Sequence, residues 1–151
     1  YFSPYTFQGS TSGYSTGGLL SPSTYYNTIE KFPFASDTNS SDVGDLTQAR
    51  SFGSGQTSSA SGYESGGYDG STYNTIDKFP FSISGGTATD VGDLLSVNVQ
   101  NMGGSSSQSH GYAIGAYPKI DVIQKFWSYS FLFNFLKFIN KIDPFKVWVY
   151  S

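Results

Sequence analysis

Cysteine is absent from the 151 residues, which excludes disulfides and thiolate metal sites and leaves the redox compartment open. Histidine is almost absent: His110 is the only one. A lone imidazole with no recurring partner reads as a surface or turn residue rather than a metal ligand or base. Ser58, Ser59, Ser105, Ser106 and Ser107 are plentiful, but nucleophilic catalysis needs a positioned base and an orienting group. With one histidine to serve them, no catalytic, metal-binding or cofactor-binding residue is expected, and the chain reads as non-enzymatic. Lysine and arginine number 8 against 11 acids, a net charge of −3. The basic residues are too few and too scattered to track a phosphate backbone, which disfavours nucleic acid as a partner. Helical spacing is missing as well. No window from Tyr1 to Phe126 keeps apolar residues at i, i+3, i+4 and i+7 for three turns.

What the chain does have is a tandem repeat. Gly13-Tyr14-Ser15-Thr16-Gly17-Gly18 returns as Gly62-Tyr63-Glu64-Ser65-Gly66-Gly67 and as Gly111-Tyr112-Ala113-Ile114-Gly115-Ala116, 49 residues apart each time. A second block reads Asn27-Thr28-Ile29-Glu30-Lys31-Phe32-Pro33-Phe34, then Asn74-Thr75-Ile76-Asp77-Lys78-Phe79-Pro80-Phe81, and in part Asp121-Val122-Ile123-Gln124-Lys125-Phe126. A third, Ser41-Asp42-Val43-Gly44-Asp45-Leu46, returns as Thr89-Asp90-Val91-Gly92-Asp93-Leu94. The spacing between blocks wobbles while the blocks hold, as loops between fixed strands do.

Each block is short, rich in β-branched and aromatic residues, and bounded by Gly, Ser, Asn or Asp, so the spacing predicts an all-β fold. One repeat offers strands near Gly62 to Ser65, Thr75 to Phe81, Gly92 to Val99 and Ser105 to Gly111. Four antiparallel strands in about 40–50 residues is the size of a propeller blade. The glycine doublets are expected at positive φ, and Pro33 and Pro80 at strand ends, bulges or edges where no ladder donor is needed. Phe32 with Phe34, and Phe79 with Phe81, share strand parity and are expected in the core between blades. The organisation expected is a partial preceding repeat at 1–12, repeat 1 at 13–61, repeat 2 at 62–110, a partial repeat 3 at 111–126 and a non-repeat tail at 127–151. Thirteen Phe, twelve Tyr and two Trp carry the burial. A closed propeller holds about four to eight blades. The expected partners therefore include neighbouring blades, from a longer chain or a homo-oligomer. A first residue that is Tyr, in a copy that opens part-way through the pattern, suggests a fragment, so a signal peptide is not judged.

After Phe126 the pattern predicts Pro-Phe and a turn, but the chain gives Trp127-Ser128-Tyr129-Ser130-Phe131-Leu132-Phe133, with no glycine from there to Ser151. Three readings compete: a shifted reading frame or chimaeric join, which is favoured; an end cap on the last blade; and membrane contact. Asn134 and Lys137 interrupt an apolar run shorter than the roughly 20 residues of a span, so no membrane partner is expected.

The order of glycine doublet, hydrophobic-acidic block, aromatic, and Leu46-Thr47-Gln48-Ala49-Arg50 leading to the next Gly-Tyr resembles a degenerate kelch repeat from Gly13 to Phe126. On that resemblance Gly66-Gly67 is the doublet, Ile76-Asp77 the strand position and Phe79 stands near the usual Trp. Arg50 holds the Arg position, which Asn98 takes in the second copy. Phrases such as Asn-Thr-Ile-Asp-Lys-Phe-Pro-Phe are also similar to tandem-repeat, tail-fibre-like proteins of marine phages and bacteria. That likeness implies an adhesive or structural array on a virion surface or outside the cell.

Asp37, Asn39, Ser41 and Asp45 have the oxygen spacing of a calcium loop. The second copy lacks the first two, and a solvated turn with side-chain-to-backbone bonds is preferred. Asp42/Asp45 and Asp90/Asp93 could suggest the carboxylate pair of a glycosidase, yet their repetition in each copy favours a turn role. Tyr14, Tyr63 and Tyr112 repeat in register and read as structural. Tyr25, Tyr26, Tyr68 and Tyr73 fall in variable loops and are the candidate ligand contacts, for a carbohydrate or protein surface; packing within the loops is the competing reading. The function expected is a binding or structural module of kelch-like blades. The alternative is part of a galactose-oxidase-type propeller enzyme, whose copper ligands would lie outside this segment.

Overall fold

The computed structural model of the chain describes residues 11–95, 102–107, 109–115 and 123–127. These residues form antiparallel sheets with no helix among them. The first sheet contains β1 (Ser12–Leu20), β2 (Thr24–Pro33) and β3 (Ser41–Asp45). The second is a four-stranded meander of β4 (Ser54–Thr57), β5 (Ser61–Ser65), β6 (Thr75–Pro80) and β7 (Thr89–Asp93). The third contains β8 (Gly103–Ser106), β9 (His110–Ile114) and β10 (Ile123–Trp127), in the order β10-β9-β8. A four-stranded sheet is thus present once among the described residues, but its first strand is Ser54–Thr57, ahead of Gly62, and the strand expected to close the unit at Ser105 to Gly111 falls in the third sheet instead. The non-repeat tail lies outside them beyond Trp127, as does Ala116 of the third glycine doublet.

The repeated blocks occupy repeated places. Gly13, Gly62 and Gly111 pair with Phe32, Phe79 and Phe126 on the neighbouring strand. The tip of each ring reaches over its glycine, where a Cβ would overlap it. Ile29 and Ile76 sit opposite Gly44 and Gly92, each beside a register shift in the ladder. Pro33 and Pro80 end β2 and β6, where the missing amide costs no ladder bond. The doublets take positive φ, 61° and 139° at Gly17 and Gly18, and 67° and 114° at Gly66 and Gly67.

Two strand expectations need correction. Strand β7 runs over Thr89–Asp93, starting ahead of the expected Gly92 and ending before Leu94, and residues 96–99 of the expected strand lie outside the described ones. The Asp-Val-Gly-Asp block is therefore itself strand and not a turn. Asp42 and Asp90 turn a carboxylate oxygen onto the amide of Gly44 and Gly92, 3.0 Å in both copies, which fits the bulge there. The stretch from Ser105 to Gly111 is likewise divided. Ser107 donates its amide to the His110 carbonyl at 2.8 Å, closing a turn between β8 and β9, and the same closure joins Ser58 to Ser61.

The sheets pack face to face through one joint used twice. In the first joint Ile29, Leu46, Tyr14 and Val43 meet Phe79, Ile83 and Ala88 of the second sheet. In the second, Ile76, Leu94, Tyr63 and Val91 meet Met102, Ala113 and Phe126. Tyr14 lies 5.5 Å from Phe79 and Tyr63 lies 6.1 Å from Phe126, centroid to centroid, separations typical of attractive ring pairs. A polar contact recurs with them: Asp77 accepts the Thr47 amide at 2.9 Å, and Gln124 accepts the Leu95 amide at 2.7 Å. The outer edge of β3 is not left bare. Asp45 and Ala88 exchange backbone bonds with Gly86 and Asp45, so the β6–β7 loop of the second sheet covers it.

Phe79 is buried in the first joint at 2% exposure, but Phe32 is 38% exposed and Phe34 is also exposed. The expectation of inter-sheet core thus fails for the first pair. Their strand parity puts them on the face of the first sheet that points away from the second, and no sheet among the described residues lies there.

Candidate functional site

Of the four candidate tyrosines, Tyr25 and Tyr26 stand in strand β2 rather than in a loop, while Tyr68 and Tyr73 lie between β5 and β6, and both segments are pinned to a common post. The segment Arg50-Ser51, which links the first sheet to the second, bonds to both. Arg50 donates its amide to the Tyr26 carbonyl at 3.0 Å and accepts the Gly18 amide at 2.9 Å. Ser51 and Tyr68 exchange amide and carbonyl at 2.9 and 2.8 Å. Gly17 has to be glycine: its φ is positive, and a Cβ there would overlap the Arg50 carbonyl oxygen. The β1–β2 hairpin and the loop at 66–74 are thereby fixed against each other.

This brings Tyr25 and Tyr68 together across the joint, rings edge-on with centroids 6.2 Å apart. Both are half-buried, and Tyr26 is exposed. Tyr25 and Tyr26 are successive strand residues and point to opposite sides, so Tyr26 is not part of the pair. Tyr73 is held in its own loop, its hydroxyl donating to Asp69 Oδ2 at 2.7 Å. That bond to a carboxylate raises the Tyr73 hydroxyl above the usual phenol range. Asp69 also accepts the Ser71 amide at 3.1 Å. Leu19, opposite Tyr25 in the hairpin, Leu20 and Phe52 are exposed beside these residues. Phe52 follows Ser51 and holds a φ of 60°, a left-handed backbone unusual for an aromatic residue.

Beneath this surface is a buried polar cluster that the repeat pattern did not reveal. Arg50 is 1% exposed, and its Nη2 lies 3.1 Å from Asp77 Oδ2 and 3.3 Å from the Glu64 carbonyl. Its Nε and Nη1 have no partner among the described residues. Asp77 also accepts the Thr47 hydroxyl, at 2.7 Å to Oδ1. Glu64 is buried between the first two sheets and accepts the Thr16 hydroxyl at 2.8 Å. Burial pushes its carboxyl up to about 7, against smaller opposing effects of Thr16 and Arg50. Asp77 had a visible signal, since Glu30 and Gln124 put a hydrogen-bond acceptor at the same register position. Glu64 had none, its counterparts being Ser15 and Ala113.

His110 opens β9 beside the turn at Ser107, with Nδ1 2.8 Å from the Ser109 hydroxyl. Burial, helped by the nearby Lys125 charge, lowers its proton affinity. Among the described residues, no three His, Cys, Asp or Glu side chains converge as a metal site. A groove of about 330 Å³ runs beside β1, lined by Tyr14, Thr16, Gln56, Thr57, Phe81 and Ser105 among others. Beside it, β5 pairs with β4, whereas β1 pairs only with β2 among the described residues. No protein-family model matches the sequence, and no curated protein shows significant similarity to it.

Proposed function

We propose that the chain is a set of blades of a kelch-like propeller and acts as a non-enzymatic binding module, with its ligand surface at the glycine-doublet end. The propeller reading is supported by how the sheets approach one another. At the first strands the backbones nearly touch, since a Cβ at Gly104 would overlap the Gly55 carbonyl oxygen. At the second and third strands of each unit, Tyr, Phe, Ile and Leu side chains hold the sheets apart. Sheets that converge at one edge and splay at the other form wedges, the shape that blades take around an axis.

The binding reading rests on one observation: Tyr25 at the start of β2 and Tyr68 in the loop after β5 belong to two different sheets and meet half-exposed at the joint. Packing alone does not require aromatic residues there, because the joint below is already filled. Flat rings with hydroxyls, beside the Asp69 carboxylate, suit a carbohydrate, which offers an apolar ring face and a rim of hydroxyls. Kelch-like arrays of the tail-fibre type fit such a role, with the virion or cell exterior as the setting.

A glycan array probed with the intact chain tests this. Binding to a restricted set of glycans is expected, and Tyr68→Ala is expected to weaken it by about tenfold or more. Binding that is unchanged in both Tyr25→Ala and Tyr68→Ala would exclude this surface.

A further inference from the structure

We propose that the two ends of the three-sheet stack are the two halves of one joint and dock a second copy of this chain head to tail. Each internal joint has a trailing face, which supplies a tyrosine and an isoleucine, and a leading face, which supplies a phenylalanine lying over a glycine. In the first internal joint the Tyr14 ring meets Phe79, and its hydroxyl donates to the Phe81 carbonyl at 2.7 Å. The same register positions recur at the ends of the stack, where no further sheet faces them among the described residues.

The leading face of the first sheet carries Phe32 over Gly13, with Phe34 against it at 5.9 Å. Phe32 is 38% exposed, where Phe79 and Phe126 are 2% and 7%. The trailing face of the third sheet carries Tyr112 and Ile123. Ile123 is 66% exposed, where Ile29 and Ile76 are fully buried. The described residues therefore display the ring and isoleucine parts of both halves of a contact made twice internally, and the partner that fits each end is the other end of the same chain. In the docked pair, Tyr112 of one copy covers Phe32 of the next, and its hydroxyl donates to the Phe34 carbonyl.

Such a contact is heterologous, so it either closes into a ring or propagates. Two copies of the three described sheets bring six, within the four to eight of closed propellers. Closure rests on the propeller reading above. Docking rests only on the repeated joint.

Sedimentation velocity and native mass spectrometry of the intact chain across the micromolar range test both. The chain is expected to associate, and Phe32→Asp or Ile123→Asp alone is expected to weaken association about thirtyfold or more. Both residues are exposed and outside the internal joints, and far-UV circular dichroism checks that the sheets persist. Mixing the two variants, one isotopically labelled, is expected to restore a dimer containing one of each, because each keeps the half that the other has lost. A chain that stays monomeric with its sheets intact overturns the proposal. So does association that survives both substitutions, or a mixture that restores nothing. An open series of trimers and larger species would uphold docking and overturn closure. Glycan binding at Tyr68 is read separately and does not depend on any of these outcomes.

Discussion

Asp77→Ala is expected to lower the unfolding free energy by about 3–5 kcal/mol, the cost of stranding one member of a buried ion pair. The guanidinium of Arg50 is sealed between the first and second sheets, and Asp77 is its one carboxylate ligand among the described residues. Two of its nitrogens already lack partners among the described residues, so removal of the carboxylate leaves little to offset the buried charge. The amide and hydroxyl of Thr47 lose their acceptor at the same time. Asp77→Asn separates the two effects. It keeps an oxygen for Thr47, as Gln124 does for Leu95 in the next joint, and is expected to cost clearly less. Urea denaturation at constant m-value measures both. Equal losses for the two variants would mean that the bonds to Thr47 contribute little, and no loss in Asp77→Asn would mean that the ion pair with Arg50 contributes little.

The second large effect is a fall in stability as pH rises from about 4.5 to 7. Glu64 has its carboxyl pushed from an ordinary 4.5 up to about 7, first by burial. The unfolded chain therefore releases this proton at a lower pH than the folded one. In that window only the unfolded state is ionised, which favours unfolding. The contribution is fully present below about 4.5 and lost above about 7, and at roughly 1.4 kcal/mol per pH unit it amounts to about 3 kcal/mol. The groups facing Glu64 are the Thr16 hydroxyl from β1, Arg50 from the linking segment and Asp77 from β6. Arg50 opposes the rise and Asp77 adds to it. Glu64→Gln keeps an oxygen for Thr16 and cannot ionise, so its stability profile is expected to be flatter than the parent's by that amount. Parallel slopes for parent and variant would show that Glu64 ionises normally.

How far the sequence carried this picture depends on what repeats. The Gly-Tyr and Ile-x-Lys-Phe-Pro blocks recur with fixed parity, and they give β5 and β6 nearly to the residue. Strand ends were legible where Pro33 and Pro80 stop the ladder. They were illegible in Ser105 to Gly111, because a Ser-Ser-Gln-Ser-His run carries no apolar alternation, and the turn is set by the bonds between Ser107 and His110. The Asp-Val-Gly-Asp block looked like a turn for a good local reason, since Asp42 and Asp90 do bond the backbone two residues on. The ladder holds regardless, and the glycine absorbs the bulge.

The candidate site was legible only as a list of tyrosines in variable loops. That Tyr25 and Tyr68 meet while Tyr26 turns away follows from strand parity and from the Arg50-Ser51 post, a contact between units that no local pattern encodes. The buried cluster was hidden for the opposite reason. Arg50 and Glu64 each appear in a single copy, Asn98 and Ala113 standing at their places in the next, and a departure from a repeat reads as loop variation until the fold places it inside.

The central claim is that successive sheets join through the same pair of rings, Tyr14 on Phe79 and Tyr63 on Phe126. Nuclear Overhauser spectroscopy on protein with isotope-labelled tyrosine and phenylalanine rings measures this directly. The account predicts cross-peaks from Tyr14 to Phe79 and from Tyr63 to Phe126, both lost from the corresponding Tyr→Leu variants. Cross-peaks from each tyrosine only to rings of its own sheet would contradict it.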